Sequence, residues 1–324
     1  MYAGGVQFEV SQRRLTGVIM KKLSVTKKAE ERRNFLKTVL AGAVIGAGLL
    51  AKRERAEAAS SEKPLPELPD GESPLLRMQR DLQRALRKPV DERRWVMVID
   101  QRKCVGCNAC RVACVTENAL PPGVTYRTVP ETQSGEYPKV SRFFMPTQCM
   151  QCDKPPCLGA ANAVSRGSIT KRLDGIVAIN YRKFRGRKAF QAAVKACPFK
   201  ALYYDDGRFF TEGTPAFQPY EKRESYDYGA MWKRVKGQND PPIDGGRKCH
   251  FCLHRLTASM LPVCVTTCIG RAAFFGDLND PQSLVSELLE KNRAKVVRIR
   301  ENRGTEPRVY YIVDDPALAA AYHT

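Results

Sequence analysis

The stretch Cys104-Val105-Gly106-Cys107-Asn108-Ala109-Cys110-Arg111-Val112-Ala113-Cys114 decides how the rest of the chain is read. Its cysteines follow C-x2-C-x2-C-x3-C, a spacing that serves [4Fe–4S] cubanes, with three thiolates on one cluster and the fourth on a neighbour. A cubane needs sulfurs at tetrahedral corners, and two intervening residues let a tight loop present successive thiolates to it. Three cysteines exhaust what one such loop can supply. The fourth ligand therefore comes from a distant segment.

Outward from this run, Cys249, Cys252, Cys264 and Cys268 repeat the order with a longer gap after the second cysteine. Between the two runs lie Cys149, Cys152 and Cys157, then the solitary Cys197 followed by Pro198. The crossed ligation of two-cluster bacterial ferredoxins gives three sets. Cys104, Cys107 and Cys110 take Cys268; Cys249, Cys252 and Cys264 take Cys114; Cys149, Cys152 and Cys157 take Cys197. A fourth set is recognisable without its thiolates, because the same spacing lands on Ala161, Arg187, Phe190 and Ala193. Those are all the ligands of one cubane, and four complete sets less this one leave the 12 cysteines present. The expected cofactors are three [4Fe–4S] clusters.

Two other uses of cysteine compete. Zinc sites also employ C-x2-C pairs, but the third and fourth cysteines here follow too closely, and only His250 and His254 stand near any of them. Disulfides persist in exported proteins, yet disulfide scaffolds are short and far richer in cysteine than 12 in 324 residues.

The amino terminus indicates export. Arg32-Arg33-Asn34-Phe35-Leu36-Lys37 reads as a twin-arginine signal, and the apolar stretch Thr38 to Ala51 suits a signal h-region. That stretch falls short of the roughly 20 residues that span a bilayer. Ala56-Glu57-Ala58 offers a cleavage site, so residues 1–58 are expected to be removed on the periplasmic side of the cytoplasmic membrane. Twin-arginine transport carries folded proteins, which suits a chain loaded with clusters before export.

The formal charge of +20 shrinks on inspection. Residues 1–58 hold twelve Lys or Arg against five acids, and each cluster with its thiolates adds about −2. The residual positive charge reads as a solvated surface or as steering toward acidic partners.

Along the chain, residues 59–93 comprise a Pro/Glu/Ser-rich linker and a helix with Leu75, Met78, Leu82 and Leu86 on one face. Trp95 to Asp100 reads as a strand and Cys110 to Asn118 as a helix. Residues 94–139 with 247–275 make one cluster-binding lobe, and 140–205 a second with one cluster and the altered fourth site. Residues 206–246 read as a surface excursion. The segment 276–324 reads as a C-terminal extension with a helix opening at Asp280-Pro281 and strands at Lys295 to Arg300 and Val309 to Val313. The fold class is α+β, with two bacterial-ferredoxin-like lobes, long loops, and the C-terminal helix and strands.

Cys104-Val-Gly-Cys-Asn-Ala-Cys with Cys114 and Glu117-Asn118 resembles the iron–sulfur subunits of the dimethyl sulfoxide reductase and polysulfide reductase family. So do Gln148-Cys-Met-Gln-Cys-Asp-Lys-Pro-Pro-Cys157, Lys248-Cys-His-Phe-Cys-Leu-His-Arg255, Leu261-Pro-Val-Cys-Val-Thr-Thr-Cys268 and Phe275-Gly-Asp-Leu-Asn-Asp-Pro281. The likeness runs from about Trp95 to Ile312. Within it, exported three-cluster versions resemble the ferredoxin-like component (DsrO) of a membrane complex linked to dissimilatory sulfite reduction. Members usually carry four clusters, so the altered fourth set is a departure.

The resemblance implies a periplasmic relay between a quinone-interacting membrane subunit of the NrfD type and a redox partner, a cytochrome c or another redox subunit, in an anaerobic respiratory complex. Membrane association would come through those partners. Val105, Ala109, Val112, Met150 and Val263 are candidates for apolar shielding of sulfur, and Arg187 and Phe190 for filling and capping the fourth site. His250 and His254 are read as structural. No phosphate loop, activated nucleophile or paired carboxylates stand out, so no catalytic residue is assigned and the chain is not itself an enzyme. The alternative is a cluster- or zinc-stabilised binding module without redox role; nucleic acid, which the basic charge would suit, conflicts with export.

Overall fold

The computed structural model describes residues 71–213, 219–227 and 230–314. The export signal and most of the linker lie outside the described residues.

The opening helix α1 (Pro74–Leu86) buries Met78, Leu82 and Ala85, the face that the apolar spacing marks out. Its other faces are pinned by charge, with Arg77 on Glu287 at 2.5 Å and Arg84 on both Asp81 and Asp280 at 2.7 Å. The helix thus packs on the body of the protein. Among the described residues no helix is long and apolar enough to cross a membrane.

Strand β1 (Trp95–Asp100) is buried at every position, as its near-continuous apolar run requires of a strand covered on both faces. It pairs antiparallel with Ala273–Asp277 and parallel with Val309–Ile312, in a sheet that Val296–Val297 completes. Trp95 stacks on Phe275 at 5.4 Å within this core. The C-terminal strand therefore lies inside the sheet beside β1, and the segment expected as an extension is integral to the first core. Its helix begins at Leu284 instead of Pro281, because Ser283 accepts the Ser286 N–H and caps it there.

Helix α2 (Ala109–Glu117) follows the first cysteine loop, and the hairpin β2 (Glu131–Ser134) and β3 (Ser141–Phe144) lies beyond it. A second apolar core gathers α3 (Pro156–Val164), the hairpin β4 (Ile169–Lys171) and β5 (Val177–Ile179), and α4 (Gly186–Ala196).

Residues 206–246 are more firmly held than a surface excursion. β6 (Tyr203–Asp205) is followed by the hairpin β7 (Glu224–Asp227) and β8 (Ala230–Lys233), and then by β9 (Gly245–Arg247), which pairs back with β6. Asp205, fully buried, accepts from Arg234 at 2.8 and 2.9 Å and from Arg247 at 2.8 Å. A burial of charge like this is tolerated only when paired and hydrogen-bonded, and it ties both ends of the segment to the core. The short helices α5 (Leu253–Thr257) and α6 (Val263–Thr266) carry the last cysteine run into β10 (Ala273–Asp277), and α7 (Leu284–Lys291), β11 (Val296–Val297) and β12 (Val309–Ile312) close the chain.

Candidate cluster-binding site

The first loop is shaped by close approach. Gly106 has φ +69°, and a Cβ there would run into the Phe144 ring. Asn108, at φ 59°, donates from Nδ2 to the Gly106 carbonyl at 3.0 Å and starts α2. Gly270 lies so near the Lys103 carbonyl that a Cβ would collide with it, and this contact brings the Cys268 loop against Cys104. Cys104 has Cys110 and Cys268 as its thiol neighbours. Cys268 Sγ accepts the Ala272 N–H at 3.1 Å. Cys107 stands exposed on the same loop.

Cys114 sits near the end of α2, which packs on α6, and faces Cys252, Cys249 and Cys264. All four line one internal cavity together with Met97, Asn118 and Arg127. Phe251 and Cys252 take successive left-handed conformations, φ 55° and 52°, which turns the chain sharply between Cys249 and α5. Cys249 Sγ accepts the Phe251 N–H at 3.4 Å, and Asn118 Nδ2 reaches Cys114 Sγ at 3.5 Å.

Cys157 lies in the first turn of α3 and Cys197 caps the end of α4, so the packing of these two helices joins them. Cys149 neighbours Cys152, Cys157 and Cys197. Burial pushes the Cys197 thiol up, and the backbone of Ala201, Phe199 and Lys200 beside it opposes that rise. The sets also follow one another in space: Cys110 lies within electrostatic reach of Cys264, and Cys149 within reach of Cys249.

The donor chemistry fits iron–sulfur clusters. None of the twelve cysteines is joined in a disulfide. Burial, with neighbouring thiolates adding to it, pushes the Cys152, Cys157 and Cys249 thiols up to about 12. Such thiols ionise only opposite a strongly positive group, which the irons of a cubane supply. Among the described residues, no three His, Cys, Asp or Glu side chains gather around one point as ligands of a single metal ion would. In a cubane each thiolate binds a different iron, and the sulfurs stand farther apart.

The fourth set of positions is closed by alanine. Ala161 on α3 and Ala193 on α4 are fully buried in one apolar core. Phe190 lies half-buried with its ring 5.3 Å from Tyr204, and the exposed Arg187 places its guanidinium 4.5 Å over the same ring. The filling expected of Arg187 and Phe190 thus falls to the alanines, while the two larger residues cover the outside. Of the candidate shielding residues, Met150 and Val263 are buried, whereas Val105 and Val112 are 63% and 64% exposed and shield little.

His250 is held near 3 by burial and by the charge of His254, and its Nδ1 accepts the Leu253 N–H at 2.9 Å. His254 pairs with Glu117 at 2.9 Å. Both therefore have structural partners. Sequence reading gave no role to Arg127, Gln151 or Lys248, which the fold buries among the cysteines. Lys248 carried a signal in its place beside Cys249; Arg127, far from any cysteine in the chain, carried none.

The chain is similar to known proteins along most of its length. The family described as "4Fe-4S dicluster domain" matches residues 140–212. A selenate reductase subunit of Mesobacillus selenatarsenatis is 46% identical over 295 residues, covering 88% of this chain and 98% of that protein. The arsenate respiratory reductase iron–sulfur subunit of Shewanella sp. is 33% identical over 229 residues, 67% of this chain and 94% of its own length. A tetrathionate reductase subunit of Salmonella typhimurium is 30% identical over 227 residues, 69% and 74% of the two chains. The chain belongs to the iron–sulfur electron-transfer subunits of the dimethyl sulfoxide reductase family, the non-catalytic partners in respiratory oxidoreductase complexes.

Proposed function

We propose that this chain is an exported three-cluster wire of an anaerobic respiratory complex, on the periplasmic side of the cytoplasmic membrane. Cys104, Cys107, Cys110 and Cys268 hold the first cluster; Cys114, Cys249, Cys252 and Cys264 the second; Cys149, Cys152, Cys157 and Cys197 the third. The observation that carries this reading is contiguity: each set neighbours the next, and Ala161 and Ala193 share an apolar core with Cys149, Cys157 and Cys197 but with no cysteine of the other two sets, as an end position for the fourth set requires. A loss at the end shortens the relay without interrupting it. When bound, each cubane exchanges one electron, and the amide and side-chain donors to sulfur set its potential.

Two surface features suit two partners. Beside the exposed Cys107, Val105, Val112 and Ile269 are solvent-exposed, with Lys103, Arg111 and Arg271 around them. At the third set, a groove lined by Cys197 also carries Lys154, Lys195, Lys200, Arg300 and Arg303. We assign these two faces to the two partners, a catalytic reductase subunit or cytochrome c and a quinone-interacting membrane subunit of the NrfD type. The names of the relatives favour an oxyanion reductase as the catalytic partner. Membrane attachment then comes through the partners, and delivery through the twin-arginine segment.

Iron and sulfide analysis with redox-titrated EPR tests the reading. It requires about twelve irons and three reducible S = 1/2 centres per chain. About four irons or fewer, or bound zinc, refutes it. Copurification from membranes identifies the partners, and recovery without any integral membrane or redox subunit refutes that part.

A further inference from the structure

Two buried cations stand between the cysteine sets. Arg127 is 2% exposed. One nitrogen of its guanidinium donates to Gln148 Oε1 and approaches the Met97 sulfur at 3.4 Å, while Nε is buried without a hydrogen-bond partner. Its neighbours include Cys104 and Cys110 of the first set and Cys114 and Cys264 of the second. It also lines the cavity that the whole second set shares. Lys248, likewise 2% exposed, donates to the carbonyls of Val177 and Cys249, the latter at 2.8 Å. It neighbours Cys249 of the second set and Cys157 of the third. Among the described residues neither cation has a carboxylate partner within salt-bridge distance.

A buried cation without a counter-ion is strongly unfavourable, so each needs an anion that the protein's own carboxylates do not supply. Resting on the three-cluster reading above, we propose that Arg127 and Lys248 are the built-in counter-charges of the relay. Arg127 sets the potentials of the first and second clusters, and Lys248 those of the second and third. A cubane with four thiolates carries about −2 when oxidised and −3 when reduced. A fixed positive charge in a low-dielectric interior favours the more negative form. Each cation therefore raises the potential of the clusters beside it, and the second cluster, beside both, is raised by both.

The test is redox-titrated EPR on purified holoprotein carrying Arg127→Gln or Lys248→Gln, with iron content read first. Each variant should lower the midpoints of two centres and leave the third in place, and one centre should move in both variants. The expected size is about a tenfold rise in the oxidised-to-reduced ratio at fixed poise, equivalent to about 59 mV for a one-electron couple. Arg127→Lys and Lys248→Arg, which retain charge, should move the midpoints less. Unmoved potentials at full iron content overturn the proposal. If a glutamine variant loses iron, the charge-retaining variant decides: restored iron supports the counter-charge role, and continued loss overturns it in favour of packing. Fewer than three reducible centres in the unsubstituted protein would instead fail the three-cluster reading.

Discussion

Gln151 joins two cysteine loops that lie far apart in sequence: its Nε2 donates to the Cys249 carbonyl at 2.6 Å. Its Oε1 accepts the Val177 N–H at 2.8 Å, and the side chain is fully buried. One amide thus fixes the second set against the third, at the place where Cys149 and Cys249 are neighbours.

Gln151→Leu keeps the volume but strands the Val177 N–H, while the Cys249 carbonyl keeps its bond from Lys248. A stranded buried group costs about 1–3 kcal/mol. The unfolding midpoint should fall accordingly, and the second and third centres should broaden or be lost before the first in a thermal series followed by EPR. Equal loss of all three centres would mean that Gln151 does not hold this junction.

Asp205→Asn removes the charge that balances two guanidiniums, Arg234 and Arg247, whose side chains are 3% and 1% exposed. Breaking a buried pair from one side costs about 3–5 kcal/mol. Denaturant unfolding should register a loss of that order. A change within about 0.5 kcal/mol would show that the segment 206–246 is held elsewhere.

Glu117 is lowered to about 2 by its hydrogen bond with His254, against the opposing effect of burial, with Arg255 and Arg223 adding to the lowering. A carboxylate depressed in the folded state stabilises above its unfolded value and loses that contribution as pH falls through the folded one. Wild-type stability should therefore decline between about pH 4.5 and pH 2 by on the order of 2 kcal/mol from this group. Glu117→Gln should be less stable at pH 6, and its deficit should shrink as pH falls through that window. A variant as stable as wild type at pH 6 would contradict the assignment.

The parts of this molecule written in local pattern were legible from sequence. Cysteine spacing, the apolar run Trp95 to Asp100 and the face of Met78 and Leu82 all depend on neighbours a few residues away. What escaped depends on distant pairing. The parallel register of β1 with Val309–Ile312 leaves no mark in either strand, so the C-terminal strand read as an extension. The hold on residues 206–246 needs Asp205, Arg234 and Arg247 to meet. The exposure of Val105 and Val112 follows from the surface position of the first loop and of the start of α2, since valine at a ligand-flanking position suits a sheltered site equally well.

The central claim is that each cluster is completed by a cysteine from a remote segment, and serine substitution with EPR tests it most directly. Cys114→Ser and Cys264→Ser should abolish or alter the same centre, and Cys268→Ser should act on the centre affected by Cys104→Ser. Cys114→Ser acting instead on the Cys104 centre would show uncrossed ligation and contradict the account.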